Sequence, residues 1–418
     1  MNAYMESYYQ SQDYNRRGIS EIWKKHSYRE RGRGSCKMNK EMEPPLKIAM
    51  LGHKTVPAMD SSRGGIEVVV EELAPRLVEM GCKVTCYNRT GCDNGGLSEY
   101  KGVELKPVPT FKRKGLAAMT SSFFATIKAT FGGYDVIHFH AEGPCAMLWL
   151  PKMLGKNCVA TIHGIDHKRQ KWSGGVGAKY IKFGEEMAAK YASEIVVLSK
   201  SVQEYFRESY GRETVFIPNG VSRPQIREAK EITEKFGLTK DSYILYLGRL
   251  VPEKGLTYLV EAYKGLRTDK KLVIAGGSSD TDEFMRELKR LIGDIESVIF
   301  TGFVGGRLRE ELYSNAYVYV LPSDLEGMPL SLLEATSYGN CCVTSDIEEC
   351  VEVVEDKGVV FRNSDVGDLR EKLQGLIDDD VVVKKYRDGA AEFICTKYSW
   401  DDVSRRTMNL YMKSLERA

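Results

Sequence analysis

The chain has 418 residues, 42% of them hydrophobic, enough to bury two substantial cores, and length alone suggests two or three domains. A count of 60 Lys and Arg against 58 Asp and Glu leaves a net charge of +2, too balanced for a surface dedicated to nucleic acid. No run approaches the roughly 18 apolar residues of a membrane span, the start is too polar for a secretory signal, and the ten cysteines fall in apolar segments such as Cys82 to Cys86, Cys158 and Cys341-Cys342 without metal-ligand spacing, so they read as reduced core residues of a cytoplasmic protein.

Residues 1–45 are rich in Tyr, Arg, Ser and Lys and carry no sustained period. They read as a disordered tail or an over-long start, with Met38 and Met42 as alternative initiators. From Lys47 strands and helices alternate. Candidate strands lie at 47–51, 82–87, 136–139, 158–162, 195–198 and 215–217, with helical patterns such as 66–80 between most of them. A second series begins at Tyr243–Leu247 and continues through 272–275, 298–301, 317–321 and 342–344, with a helix predicted over 256–266. Such alternation builds parallel, doubly wound sheets, because right-handed crossovers lay a helix against each face. The predicted class is therefore α/β, with two doubly wound, Rossmann-like domains facing each other across a cleft and a linker near Pro218 to Pro224.

The stretch Glu326-Gly-Met-Pro-Leu-Ser-Leu-Leu-Glu334 carries the most chemistry: two carboxylates eight residues apart bracket a turn and a helix start after the apolar run Ala316 to Leu321. Pro329 suits a first helical turn, where its missing N–H costs nothing, so the helix is predicted to open near Met328. The unpaired N–H groups of an opening helix and its macrodipole favour an anion by about 0.3–1 kcal/mol. Glu326 precedes that end, Glu334 lies about two turns in, and each can accept from hydroxyls. A ligand with hydroxyls at both ends and phosphate in the middle fits, and a nucleotide sugar has that outline. Taken alone, an E-x7-E is most often two solvated glutamates. A matching pair of cations upstream changes the balance. Gly248 to Gly255 forms the loop at the carboxyl end of the 243–247 strand, where open α/β sheets bind ligands. There Arg249 offers a planar fork and Lys254 a compact charge, together able to neutralise a diphosphate without a metal.

Other polar patterns read more plainly. His138 and His140, in Asp135-Val-Ile-His-Phe-His, alternate as a strand requires, and no further ligand is recognisable beside them. Asp280-Thr-Asp282 follows Gly276-Gly277 and opens the helix 283–292, where acidic residues suit the positive end. Lys112-Arg113-Lys114, followed by Leu116, Phe123, Phe124 and Ile127, is a basic turn entering an amphipathic helix, either a core helix with a solvated loop or a segment docking on anionic lipid.

Taken in order, Arg63-Gly-Gly-Ile-Glu67, Thr161-Ile-His-Gly-Ile-Asp166, Ile217-Pro-Asn-Gly-Val221, the Gly248-Arg249 to Lys254-Gly255 loop, Phe300-Thr-Gly-Phe303 and the E-x7-E resemble GT-B fold glycosyltransferases, closest to glycosyltransferase family 4, over nearly the whole chain from Leu46. The resemblance implies an acceptor-side domain over 46–220, completed by a C-terminal helix within 399–418, and a donor-binding domain over 221–398. It implies that Arg249 and Lys254 hold the donor diphosphate, that Glu326 binds hydroxyls of the transferred sugar, and that the backbone from Gly327 through Met328 and Pro329 to Leu330 helps hold sugar and phosphates through its available N–H groups. Glu334 would accept from the ribose, and Thr301, Gly302, Phe303 and Val304 would line the base. His163 would face the sugar from the other domain, with Asp166 on the acceptor side, and Gly64 and Gly65 would let backbone approach the phosphate or acceptor closely.

The implied activity is a metal-independent, hexosyltransferase-type reaction (EC 2.4) that needs no cofactor and retains anomeric configuration, a donor phosphate oxygen taking the acceptor's proton. The Arg63 to Pro75 stretch looks like members that build bacterial capsule or other surface polysaccharide, which implies a glycan or lipid-linked acceptor, no nucleic acid, and a cytoplasmic location at the inner face of the membrane. Where many relatives place an acid after Asn-Gly-Val, this chain has Ser222. Two alternatives share the sequence features: a same-fold nucleotide-sugar 2-epimerase, and a non-catalytic nucleotide-sugar-binding scaffold.

Overall fold

The computed structural model describes residues 44–59, 64–111, 113, 116–168, 175–277 and 282–417. The tail expected over 1–45 therefore falls almost wholly outside the described residues, as do Arg63, Lys112, Lys114, Asp280 and Thr281, and the side chain of Asp282.

Two sheets carry the chain. The first contains β1 (Lys47–Leu51), β2 (Lys83–Arg89), β3 (Glu99–Tyr100), β4 (Val103–Val108), β5 (Val136–His140), β6 (Asn157–Ile162), β7 (Glu194–Val197) and β8 (Val215–Phe216), ordered β3-β4-β2-β1-β5-β6-β7-β8. Its pairs are parallel apart from β3 against β4. The second contains β9 (Tyr243–Leu247), β10 (Lys271–Ala275), β11 (Val298–Gly302), β12 (Val318–Leu321), β13 (Cys341–Ser345) and β14 (Gly358–Phe361), ordered β11-β10-β9-β12-β13-β14 and parallel throughout. The α/β class and its two doubly wound sheets are as the alternation predicts. Parallel strands covered on both faces are apolar without alternation, and β5, β6, β12 and β13 are buried along their whole length. The cysteines singled out in sequence, Cys82, Cys86, Cys158, Cys341 and Cys342, are buried thiols, and burial pushes Cys158 and Cys342 up to about 12.

Strand order reverses between β1 and β5 in the first sheet and between β9 and β12 in the second. Where successive crossovers leave in opposite directions, a crevice opens beyond the strand carboxyl ends. Residues 52–59, residue 64 and the stretch from Ala141 border the first crevice; residues 248–255 and 322–329 border the second. Each pair of loops is thus placed by topology alone.

The chain passes between the sheets twice at one place. Val221 and Ser399 form an isolated bridge, and the Val221 N–H donates to the Tyr398 carbonyl at 2.7 Å. The last helix, Trp400–Glu416, then returns to the first sheet and buries Trp400, Val403, Leu410 and Tyr411 against Val69, Leu73 and Leu77 of the helix Gly65–Glu79. Each such buried side chain contributes about 1.5–3 kcal/mol.

One helix starts later than predicted. Pro329 stands immediately before the helix Leu330–Ser337, with φ −77° and ψ 99°, and the helix does not open at Met328. Met328 is held out of helical register from the linker: the Asn219 N–H donates to its sulfur at 3.0 Å and Asn219 Nδ2 to its carbonyl at 3.3 Å. The strands β3, β4 and β14 were not anticipated, since β3 has two residues, β4 is half-exposed and interrupted by Pro107, and β14 is four residues long.

The two loops of the second crevice touch at Gly255, which has φ +64°, and a Cβ there would lie 1.8 Å from the Pro322 carbonyl oxygen. Gly255→Ala is expected to destabilise the fold by about 1–3 kcal/mol, seen as a lower urea midpoint. An unchanged midpoint would show that the loops do not need this approach.

Candidate functional site

The second crevice is built by short cross-links between strand ends. The Gly248 N–H donates to Ala275 at 3.0 Å and the Gly276 N–H to Gly302 at 2.9 Å, which aligns the carboxyl ends of β9, β10 and β11. Tyr246 Oη donates to the Arg249 carbonyl at 2.7 Å and anchors the start of the loop. The turn Pro252–Lys254 closes it, and the Asp324 N–H donates to the Glu253 carbonyl at 2.9 Å, fastening the loop after β9 to the loop after β12.

Lys254 and Glu326 meet in this frame. Lys254 Nζ pairs directly with Glu326 Oε1, to which Ser323 Oγ also donates at 2.7 Å. The two side chains are 12% and 9% exposed, so the pair lies largely out of water. Arg249 is half-buried beside it and has no carboxylate partner among the described residues. Glu334, two turns into its helix, pairs with Arg309 at 3.2 Å, and that carboxylate holds the guanidinium still more firmly protonated. The structure thus brings Lys254 and Glu326 together, with Arg249 earlier in the same loop as Lys254 and Glu334 on the helix that follows Glu326, and both acids are engaged by cations. Arg309 was missed. Its signal was available only as a basic residue a few positions after the Thr301 to Val304 loop. Within that loop Val304 is buried, Phe303 is exposed, and Thr301 Oγ1 turns back to the Gly302 carbonyl at 3.0 Å.

The first crevice faces this wall. A Cβ on Gly327 would lie 1.7 Å from the His163 carbonyl oxygen and 2.9 Å from Gly164 Cα, and a Cβ on Gly65 would sit 3.6 Å from the Leu330 side chain. Gly64 and Gly65 open their helix with a cap from one side only, since glycine has no side chain: Glu67 accepts from the Gly64 N–H at 3.0 Å and from the Lys54 N–H at 2.7 Å. Glu67 therefore ties the loop after β1 to the helix start, a role for the acid of Gly-Gly-Ile-Glu that sequence reading left unassigned.

His163 leaves the end of β6 beside a row of imidazoles. His140 Nδ1 lies 3.2 Å from His163 Nε2, and the His138 and His140 ring centres are 4.2 Å apart. His138 is held at both nitrogens, by Tyr411 Oη at 2.6 Å and Thr161 Oγ1 at 2.7 Å. Asp166 opens the turn Asp166–Lys168, its N–H donating to Glu142 Oε1 at 2.9 Å. Burial first, and then the charge of Asp166, raises the Glu142 carboxyl well above its usual range. Among the described residues no three His, Cys, Asp or Glu side chains gather in a way that could hold a metal ion. A surface hollow of about 390 Å³, lined by His167, Ala178, Lys179, Lys182, Phe183 and Glu186, lies on the helix Val176–Tyr191 and contains none of the crevice residues.

Residues 63–223 match the family described as Glycosyltransferase Family 4, and residues 228–393 match Glycosyl transferases group 1. A glycosyltransferase of Methanocaldococcus jannaschii, itself uncharacterized, is 25% identical over 398 residues, covering 89% of this chain and 99% of its own length. Sucrose-phosphate synthase from Thermosynechococcus elongatus superposes with a TM-score of 0.74 at 21% identity, over 89% of this chain and all of that one. Anabaena HepE in complex with UDP-glucose gives 0.72 at 17% identity, over 89% and 100%. These two structures share the fold of paired Rossmann-like domains.

The buried imidazoles make a pH prediction with a definite sign. Burial lowers His53 to about 4 and His138 to about 3, and holds His140 well below the ordinary value of 6.5. Folded, these rings stay neutral while the unfolded chain takes up protons below pH ~6.5, so their contribution is complete above that pH and shrinks as pH falls towards 4, by up to about 1.4 kcal/mol per unit for each ring. Glu142 acts in the opposite sense, its raised pKa favouring the fold at low pH. The decisive measurement is therefore a difference. Between pH 6.5 and 4.5, His53→Gln, which keeps a donor for Asn88, is expected to lose less urea stability than the native chain; equal losses would contradict the assignment.

Proposed function

We propose, for a chain that belongs to the GT-B glycosyltransferases of the family 4 type, that its cleft binds a nucleotide diphosphate-sugar and passes the sugar to an acceptor hydroxyl. The observation that carries this reading is the Lys254–Glu326 pair and the neighbouring Arg249, gathered where strand order reverses and directly opposite His163. Relatives crystallised with UDP and UDP-glucose support a nucleotide-sugar donor.

In this reading residues 221–398 bind the donor, and residues 46–220 with 399–418 hold the acceptor. Arg249 and Lys254 neutralise the leaving diphosphate, and Glu326 and the amides from Gly327 to Leu330 orient the sugar. Fixed positive groups placed where charge develops are worth about 2.7–4 kcal/mol each. The reaction proceeds with retention and without a metal, the departing phosphate taking the acceptor's proton. Phe303 offers a flat apolar surface for the base, and Glu334, steadied by Arg309, accepts from the ribose.

A panel of UDP-, GDP- and dTDP-sugars tests the donor site, since a ligand at 100 times its dissociation constant stabilises by about 2.7 kcal/mol. One nucleotide class is expected to raise the melting temperature, and Arg249→Ala to remove that shift and to lower transfer about 10²–10³-fold. Incubation with donor alone distinguishes the relatives in chemistry: complete conversion to an epimer would replace the transferase reading with an isomerase. Binding without turnover of any acceptor extract would favour a scaffold.

The acceptor we propose is a surface glycan carried on lipid at the inner face of the membrane. No helix among the described residues is long and apolar enough to cross a membrane. However, Leu116, Met119 and Phe123, at positions i, i+3 and i+7 of the helix Leu116–Phe131, are exposed together with Phe111 and Arg113. The chain is expected to sediment with vesicles containing anionic lipid, and charge reversal at Lys112, Arg113 and Lys114 to abolish that. Retained binding would remove the docking idea.

A further inference from the structure

His140 occupies the last position of β5, fully buried, and its two ring nitrogens are unequally served. Nδ1 lies 3.2 Å from Nε2 of His163, whereas Nε2 meets no hydrogen-bond partner among the described residues. The contrast with His138, two residues earlier on the same face, is informative. Hydroxyls of Tyr411 and Thr161 satisfy both nitrogens of His138, whose ring packs on that of His140 with centres 4.2 Å apart.

Two imidazole nitrogens form a hydrogen bond only when one proton lies between them. If His163 supplied that proton from Nε2, neutral His140 would carry its own on Nε2, as a buried N–H with no acceptor. Orphaned buried donors are rare and cost about 1–3 kcal/mol. If instead His140 donates from Nδ1, the atom left over is a lone pair, which a protein interior tolerates better. The doubly protonated ring is worse than either, because burial and the neighbouring imidazoles of His138, His163 and His53 all oppose its charge. One arrangement remains.

We infer that His140 is a positioning residue whose Nδ1–H donates to Nε2 of His163 and so fixes His163 as its Nδ1–H tautomer at the edge of the cleft. The consequence is a polarity. With Nε2 committed as an acceptor, any hydrogen bond from the His163 ring to a bound ligand runs through Nδ1–H, so His163 recognises an oxygen lone pair, such as that of a sugar hydroxyl or ring oxygen. An unconstrained imidazole in water prefers the opposite tautomer, with the proton on Nε2, and would present an acceptor. The state of one half-buried ring at the cleft is thus set by a ring that is fully buried. The identity of the ligand rests on the proposed glycosyl transfer; the tautomer does not.

The test reads the proton directly. In protein labelled with ¹⁵N at histidine, the long-range ¹H–¹⁵N spectrum at neutral pH is expected to show His163 with a protonated Nδ1 and a bare Nε2, the signals being assigned by their loss in His163→Asn. In His140→Phe, which fills the ring volume without a donor, His163 is expected to revert towards the Nε2–H form. Transfer is expected to fall about 10-fold, the factor carried by one hydrogen bond of ~1.4 kcal/mol. His140→Asn places an amide N–H where Nδ1 stood, and is expected to restore both the Nδ1–H signature and most of the turnover. A native His163 with its proton on Nε2 overturns the inference, as does an unchanged His163 spectrum in His140→Phe. The native spectrum decides alone should His140→Phe fail to fold. The expected tautomer in a chain that transfers no sugar would support this inference while counting against the transferase reading.

Discussion

Gly327 and the carbonyl of His163 approach so closely that a Cβ at residue 327 would lie 1.7 Å from the oxygen, and this one approach makes a single site out of two domains. No water fits between backbones at that separation. The consequence is electrostatic as much as steric: charges bordering a narrow, poorly hydrated gap interact more strongly than the same charges at an open surface. The Lys254–Glu326 pair and Arg249 lie on the same wall as Gly327, so the closeness of the two domains sets how effectively they attract an anion.

The pairing of the charges follows from their burial. An ammonium and a carboxylate that are each about nine-tenths out of water carry a large solvation penalty, and each compensates the other. Removing one partner from such a pair typically costs about 3–5 kcal/mol because the other charge is stranded. Glu334 and Arg309 cancel in the same way. With those two pairs neutral, the surplus positive charge of the wall resides on Arg249 and on the amides that open the helix Leu330–Ser337. In the proposed reading, phosphate gains most there. This division of labour explains how a crevice rich in charge stays stable and still presents Arg249 without a competing acid among the described residues.

Much of this architecture was legible in the chain. Apolar runs such as Tyr243 to Leu247 and Ala316 to Leu321 gave the strands, because both faces of a parallel sheet are buried and the pattern is continuous. Glu326, Arg249 and Lys254 stood out because their residue types and their places after strands matched one ligand, and His163 through the family resemblance. What stayed hidden depends on contacts distant in sequence. The Lys254–Glu326 pair joins residues 72 positions apart, and Asn219 reaches Met328 across 109, which is why the helix was expected to begin too early. Strand order is not written in the pattern either. Without it, nothing in the sequence says that the loops after β9 and β12, and not those after β10 or β13, share a crevice. Glu67 and Arg309 were overlooked because a cap and an ion pair look in sequence like ordinary surface charges.

The place where the chain crosses between the sheets constrains how the cleft can open. Both crossings occur side by side, at Val221 and at Ser399, joined by a bridge and by the hydrogen bond from Val221 to Tyr398. Two adjacent connections permit rotation about the line through them and resist sliding. Rotation of one sheet relative to the other therefore has its axis there. Asn219, two residues from that place, is bonded to Met328, so the loop that carries Glu326 is held both beside the crossings and, through Asp324 and Glu253, to the loop after β9. Gly327 thereby faces a rigid strand end, where the row His138, His140 and His163 holds its rings in place through hydrogen bonds.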